Sequence, residues 1–189
     1  MPKKYIPQVF VAPFPESEAS GRPMLVFAEM AEKLPLRAIL EANHLVHIEA
    51  DQWYPMQDAL NVFKAIYESG GPNLDLVATG MKTMESFSLP VEANSIETTL
   101  PFFDQLSKVF SRNVPEDFGM PVVFTETGRA VLTNNTPIPY SAVYGFVYNI
   151  LNTYKASDQT FLLKIISAEN DIPTVFEIKW ENTEDGVPG

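Results

Sequence analysis

The stretch Asp51-Gln52-Trp53-Tyr54-Pro55 stands immediately before an amphipathic run that stops at Gly70-Gly71-Pro72. No other part of the chain constrains the fold as much, because it joins a helix start, two large aromatic rings and a helix stop. Between them Met56, Ala59, Leu60, Phe63, Ile66 and Tyr67 recur at the i, i+3, i+4, i+7 spacing, opposite Gln57, Asn61, Lys64 and Glu68. That period predicts a helix with one buried stripe. Gly-Gly followed by proline suits a helix C-terminus and not a phosphate loop. Trp53 and Tyr54 read first as a staple fixing the chain's approach to the helix, and second as rings on which a flat ligand could stack.

Upstream, Tyr5 to Pro15 alternates proline with large apolar residues, which forbids a helix and predicts an extended arm or edge strand. Such an arm covers its own domain or crosses to a second subunit. Glu16 to Gly21 reads as a solvated loop. Helices are expected from Arg22 to about Leu34, with Met24, Phe27, Ala28 and Ala31 on one face, and from Leu36 to Ala42. Asn73 can cap a helix carrying Leu74, Val77, Met81 and Met84, and Ile96 to Phe110 repeats the pattern with Leu100, Phe103 and Leu106.

The period then drops from 3.6 to 2. Val122–Thr125 and Ala130–Thr133 flank Glu126-Thr127-Gly128-Arg129, a hairpin turn with a glycine free to take positive φ. One more helix, Tyr140 to Tyr154, carries Val143, Val147, Ile150 and Leu151 on a stripe. Gly145 inside it costs about 1 kcal/mol relative to alanine, which implies that a sheet, another helix or a ligand approaches its backbone. Phe161–Ile166 and Thr174–Trp180 form a second hairpin, in which Phe176, Ile178 and Trp180 alternate with Glu177 and Lys179. The order is that of an α+β fold, a helical N-terminal half packed on an antiparallel sheet of two hairpins with an intervening helix. An N-terminal arm (1–21), a single domain (22–181) and an acidic tail (182–189) are expected.

At 189 residues the chain has length for one well-filled core. A net charge of −11 with no Lys/Arg run argues against a nucleic-acid partner, since cations must replace the counterions on phosphates. No apolar run approaches the roughly 20 residues of a membrane span, so no membrane insertion is expected. The absence of cysteine removes disulfides, thiolate metal sites and thiol nucleophiles and favours the cytoplasm. Met1-Pro2-Lys3-Lys4-Tyr5 leads into no continuous apolar stretch, so no secretory signal is expected.

Catalytic signatures are missing. His44 and His47, with Glu41, Glu49 and Asp51 nearby, could gather round a zinc or iron ion, but they lack an H-E-x-x-H frame and read as partly exposed residues at a helix end. No Gly-x-Ser-x-Gly elbow accompanies the serines.

Trp53-Tyr54-Pro55, the Leu60/Phe63/Ile66 helix with its Gly-Gly stop, and a late helix containing Gly145 that leads into a hairpin closing with Trp180 resemble a known superfamily. It groups haem nitric-oxide-binding domains, 4-vinyl reductase-type domains and small trafficking-complex subunits, and the resemblance covers roughly residues 24–181. Bacterial relatives of unassigned function enclose an apolar cavity between helices and sheet. Two departures limit the inheritance. Haem-binding members use a histidine on a central helix and a Tyr-x-Ser-x-Arg element, and neither is found around His44, His47, Arg22, Arg37, Arg112 or Arg129. The metal-binding reductase-type members rely on cysteines. The resemblance therefore implies a small apolar ligand without a cofactor, bound by a non-enzymatic sensory domain, with Trp53, Tyr67, Phe103 and Tyr144 as the candidate ligand-binding residues. The alternative it implies is a homodimeric protein–protein scaffold whose interface is the Tyr5 to Pro15 arm and the first helix.

Overall fold

A computed structural model of the chain describes residues 4–31, 37–68, 74–84, 88–167 and 173–183. The expected stop at Gly70-Gly71-Pro72 and the cap at Asn73 lie outside the described residues. Helices α1 (Gly21–Ala31), α2 (Arg37–Ala42), α3 (Met56–Glu68) and α4 (Leu74–Thr83) make the N-terminal half. In α3 the stripe holds Met56, Ala59, Leu60 and Ile66 inside, and Val62 joins them with no exposure. Tyr67 is 52% exposed because the stripe outruns the core by one turn.

The run expected as a single helix over Ile96–Phe110 is two short ones, α5 (Ile96–Thr99) and α6 (Phe102–Val109). Pro101 lacks the N–H that would continue the ladder. Ser95 opens α5 with a capping box to Thr98.

Sequence reading also missed a small sheet. Strands β1 (Glu18–Ser20), β2 (Trp53–Pro55) and β3 (Ser111–Arg112) pair antiparallel in the order β2-β1-β3. The Glu16–Gly21 run is thus no solvated loop, for it supplies the central strand. Ser17 anchors it from a buried position, its hydroxyl donating to the Asn113 carbonyl at 2.8 Å.

Strands β4 (Val122–Glu126), β5 (Arg129–Asn134), β6 (Gln159–Ile165) and β7 (Thr174–Asn182) form a second antiparallel sheet in the order β4-β5-β7-β6. The two expected hairpins are joined by β5 and β7, with Ala130 opposite Ile178 and Leu132 opposite Phe176. Gly128 takes φ +74° in the first turn, as a short hairpin requires. Period-two alternation turns Ala130, Leu132, Leu163, Phe176 and Ile178 inward onto Val147, Ile150 and Leu151 of α7 (Tyr140–Tyr154). On the outer face Arg129 binds Glu126 and Glu177, and Lys179 lies 3.3 Å from Glu177. Hydrogen bonds from Arg129 hold the Glu177 carboxyl below the usual range. Among the described residues no helix is long and apolar enough to cross a membrane.

Gly145 answers the question its cost raised. A Cβ there would sit 2.0 Å from the Val77 carbonyl oxygen, and one on Gly80 would sit 1.9 Å from that of Ala142. Helices α4 and α7 therefore cross in backbone contact through a reciprocal pair of glycines.

Candidate ligand cavity

Beside that crossing lies a partly enclosed cavity of about 130 Å³. Its walls come from both halves of the chain. Met24 and Phe27 of α1 and Met56, Ala59, Leu60 and Phe63 of α3 face Gly80 and Thr83 of α4, Leu106 and Ser107 of α6, and Ala142, Val143 and Phe146 of α7. Pro23, Phe110, Phe118, Met120 and the loop Thr136-Pro137-Ile138 complete it, with Ala19 and Ser111 from the small sheet. Among the described residues, no charged residue, histidine, tyrosine or tryptophan lines the space.

Period two explains how the small sheet contributes. Ala19 pairs with Tyr54 on one side and Ser111 on the other, so these three share the inner face, while Glu18, Trp53 and Arg112 share the outer one. Outside, Arg112 makes a bidentate pair with Glu18 at 2.5 and 2.9 Å and lies 4.6 Å over the Trp53 ring. The Arg112 hydrogen bonds hold the Glu18 carboxyl below its ordinary range.

The loop after β5 is held by its own polar groups. The Asn134 side chain donates to the Ile138 carbonyl at 3.1 Å and accepts from the Thr136 hydroxyl at 2.7 Å. Ile138 consequently packs against three clusters at once: the sheet and α7, the α1–α3 core, and the group around Met56 and Phe118. Outside this loop the N-terminal segment is tied down, with the Phe10 N–H donating to the Pro137 carbonyl at 3.0 Å. Gln57 of α3 accepts from the Ala12 N–H and donates to the Phe10 carbonyl. The segment turns at Phe10, whose φ is +64°, and does not run extended.

The four candidate residues do not converge on this space, and none is among its lining residues. Trp53 faces out under Arg112. Tyr67 is exposed, with its ring 5.7 Å from that of Phe10. Phe103 is fully buried one layer behind the wall, its ring 6.1 Å from that of Phe146 and edge-on to it. Tyr144 stacks on Tyr148 at 6.3 Å, and at 100° per residue it is roughly opposite Ala142 on α7. Phe118, Met120, Thr136 and Ile138 went unread. The signal that could have pointed there is the Pro-x-Pro at 137–139, which forces an irregular turn between a buried strand and a buried helix.

His44 and His47 lie exposed in the turn after α2, with His44 at φ +56°. Among the described residues no three His, Asp or Glu side chains gather as a metal site. Beside the core that α7 forms with the sheet, Glu97 of α5 accepts from Gln159 and from the Trp180 indole. Burial opposes its ionisation, but these hydrogen bonds outweigh it and keep the carboxyl low. This arrangement ties α5 to the sheet.

No protein-family model matches the chain, and no curated protein matches it in sequence. Solved structures do match its fold. One is an oxygen-binding H-NOX domain related to soluble guanylate cyclases, as its oxygen complex, with TM-score 0.60 and 10% identity over 89% of this chain and 96% of that one. A Cs H-NOX mutant carrying 4-cyano-L-phenylalanine gives 0.60 and 10% over 87% and 97%. An H-NOX protein from S. oneidensis in the Fe(II)NO ligation state gives 0.54 and 10% over 86% and 99%. At this identity the likeness is one of fold, and the chain has an H-NOX-like α+β fold.

Proposed function

We propose that the protein is a sensory domain that binds a small apolar molecule in the cavity between its helical half and its sheet, without haem and without bond-making. The observation that carries this is a space of about 130 Å³ walled by apolar groups from both halves. At roughly 24 cal/mol per Å³ an empty space of that size costs on the order of 3 kcal/mol. A ligand at a hundred times its Kd returns about 2.7 kcal/mol. Occupancy then favours one packing of α1 and α3 against α7 and the sheet, by no more than the ligand's difference in affinity for the two packings.

The lining does not fit haem. Among the described residues it holds no histidine to ligate iron and no cation to meet propionates. Its volume lies below the roughly 300–1,000 Å³ of sites for drug-sized ligands. The same lack of titratable lining groups supports a binding role over an enzymatic one, and the cysteine-free chain suits the cytoplasm.

Native mass spectrometry of freshly purified protein tests the reading, with a small non-covalent adduct expected. Bare protein that no neutral apolar probe stabilises to heat would sink it, and a Soret band would overturn the exclusion of haem.

A second reading, homodimerisation through the N-terminal segment, is favoured by Ile6, Val9, Val11 and Phe14, which are 67, 39, 47 and 42% exposed. Light scattering of the chain with and without residues 1–15 decides it, a change from dimer to monomer being the expected result.

A further inference from the structure

We infer that the cavity selects a neutral single-ring aromatic molecule, a conclusion that rests on its being a ligand site. Size sets the first limit. An apolar cavity of about 150 Å³ stays dry and takes up benzene, and this one measures about 130 Å³.

Charge sets the second. Three of the four lining hydroxyls are committed within the protein: Ser107 donates to the Phe103 carbonyl at 3.1 Å, Thr83 to the Thr79 carbonyl at 3.0 Å, and Thr136 to Asn134. Ser111 on β3 is the fourth. A carboxylate or phosphate would leave water for a wall whose described residues include no cation, and that desolvation is prohibitive. An ionised ligand is therefore excluded where a neutral one is not.

The third limit is the chemistry of the wall, which presents five phenylalanines and three methionines. Phe27 and Phe63 meet edge to face, 5.0 Å apart at 81°, and Phe146 is braced in the same manner by Phe103 behind it. Rings held this way offer fixed edges and faces to a guest ring, and the thioethers of Met24, Met56 and Met120 add sulfur–aromatic contacts. An aliphatic molecule of equal volume gains neither term. One aromatic contact's worth of preference corresponds to roughly 2- to 10-fold in affinity.

The test is a titration of the full chain with benzene, toluene, cyclohexane and benzoate, read from methionine methyl NMR shifts. Benzene and toluene are expected to move the Met24, Met56 and Met120 methyls and leave Met84 in place, with benzoate inactive and cyclohexane about 2- to 10-fold weaker. Cyclohexane binding as well as benzene overturns the aromatic preference, and benzoate binding at all overturns the restriction to neutral molecules, each while leaving a ligand site. Failure of all three neutral probes removes the site itself. Phe63→Leu, confirmed folded by circular dichroism, should shrink the benzene-to-cyclohexane ratio, and an unchanged ratio counts against the inference. Should that variant not fold, Phe110→Leu on the same wall replaces it under the same criterion.

Discussion

Two apolar regions meet at α7 and differ in how they are filled. Against the sheet, Leu132, Val147, Ile150, Leu151, Phe176 and Ile178 have no exposed surface and interlock across two regular faces. On the other flank, residues just as apolar leave a hollow of about 130 Å³. Hydrophobicity does not separate them. What does is how closely the backbones can approach: α4 and α7 already touch through Gly80 and Gly145, so neither helix can move inward to close the space beside the crossing.

Substitutions can probe this contrast from both sides. Phe176→Ala, in the filled region, should cost about 3–5 kcal/mol in urea unfolding. A loss under 1 kcal/mol would mean that this region is not close-packed. Gly145→Val should cost about 1–3 kcal/mol or more, because its side chain meets the Val77 carbonyl and must push α4 away. If instead it is neutral, the glycine crossing does not set the spacing that keeps the hollow open. Ala59→Leu places three carbons into the cavity and should raise stability by about 0.5–2 kcal/mol while weakening benzene binding. Destabilisation there would show the space to be already used.

The smallest effect expected is with acid, and the two tryptophans report it separately. Trp180 rests on Glu97 beside the filled region, and Trp53 lies under the Arg112 that Glu18 holds. Both carboxyls sit below their ordinary value of 4.5 in the folded chain. The stability they contribute is therefore present above that pH and is lost as pH falls through the lower folded values. Indole N–H resonances should hold steady from pH 8 to 5 and move below about 4.5. Movement near neutrality would contradict the assignment.

Much of the architecture was legible because long elements repeat their period many times. The stripe of α3 as far as Ile66, the stripe of α7 and the alternation of Phe176, Ile178 and Trp180 stand as read. The small sheet was not legible, since strands of two and three residues are shorter than any period that could reveal them. Asn182, where the tail was expected to start, belongs to β7, and Thr183 donates to the Asp158 carbonyl. Residues 184–189 lie outside the described part.

The cavity was legible only as a kind of place. Met24, Phe27, Met56 and Leu60 were read as core, which they are, but whether a core position borders a void depends on what arrives from elsewhere in the chain. Trp53 illustrates the difficulty: its aromatic ring suggested a ligand contact, and membership of a three-residue strand turned it outward.

Local patterning by itself determined the helices, the hairpins and the α+β class, because hydrophobic period, proline and glycine act over a few residues. Only tertiary structure decided that two hairpins become one sheet, that Gly80 and Gly145 meet, and that a hollow remains where α1, α3, α4, α6 and α7 converge. These depend on distances between segments far apart in the chain, and a void, being the shape left by its neighbours, has no residues of its own to carry a signal.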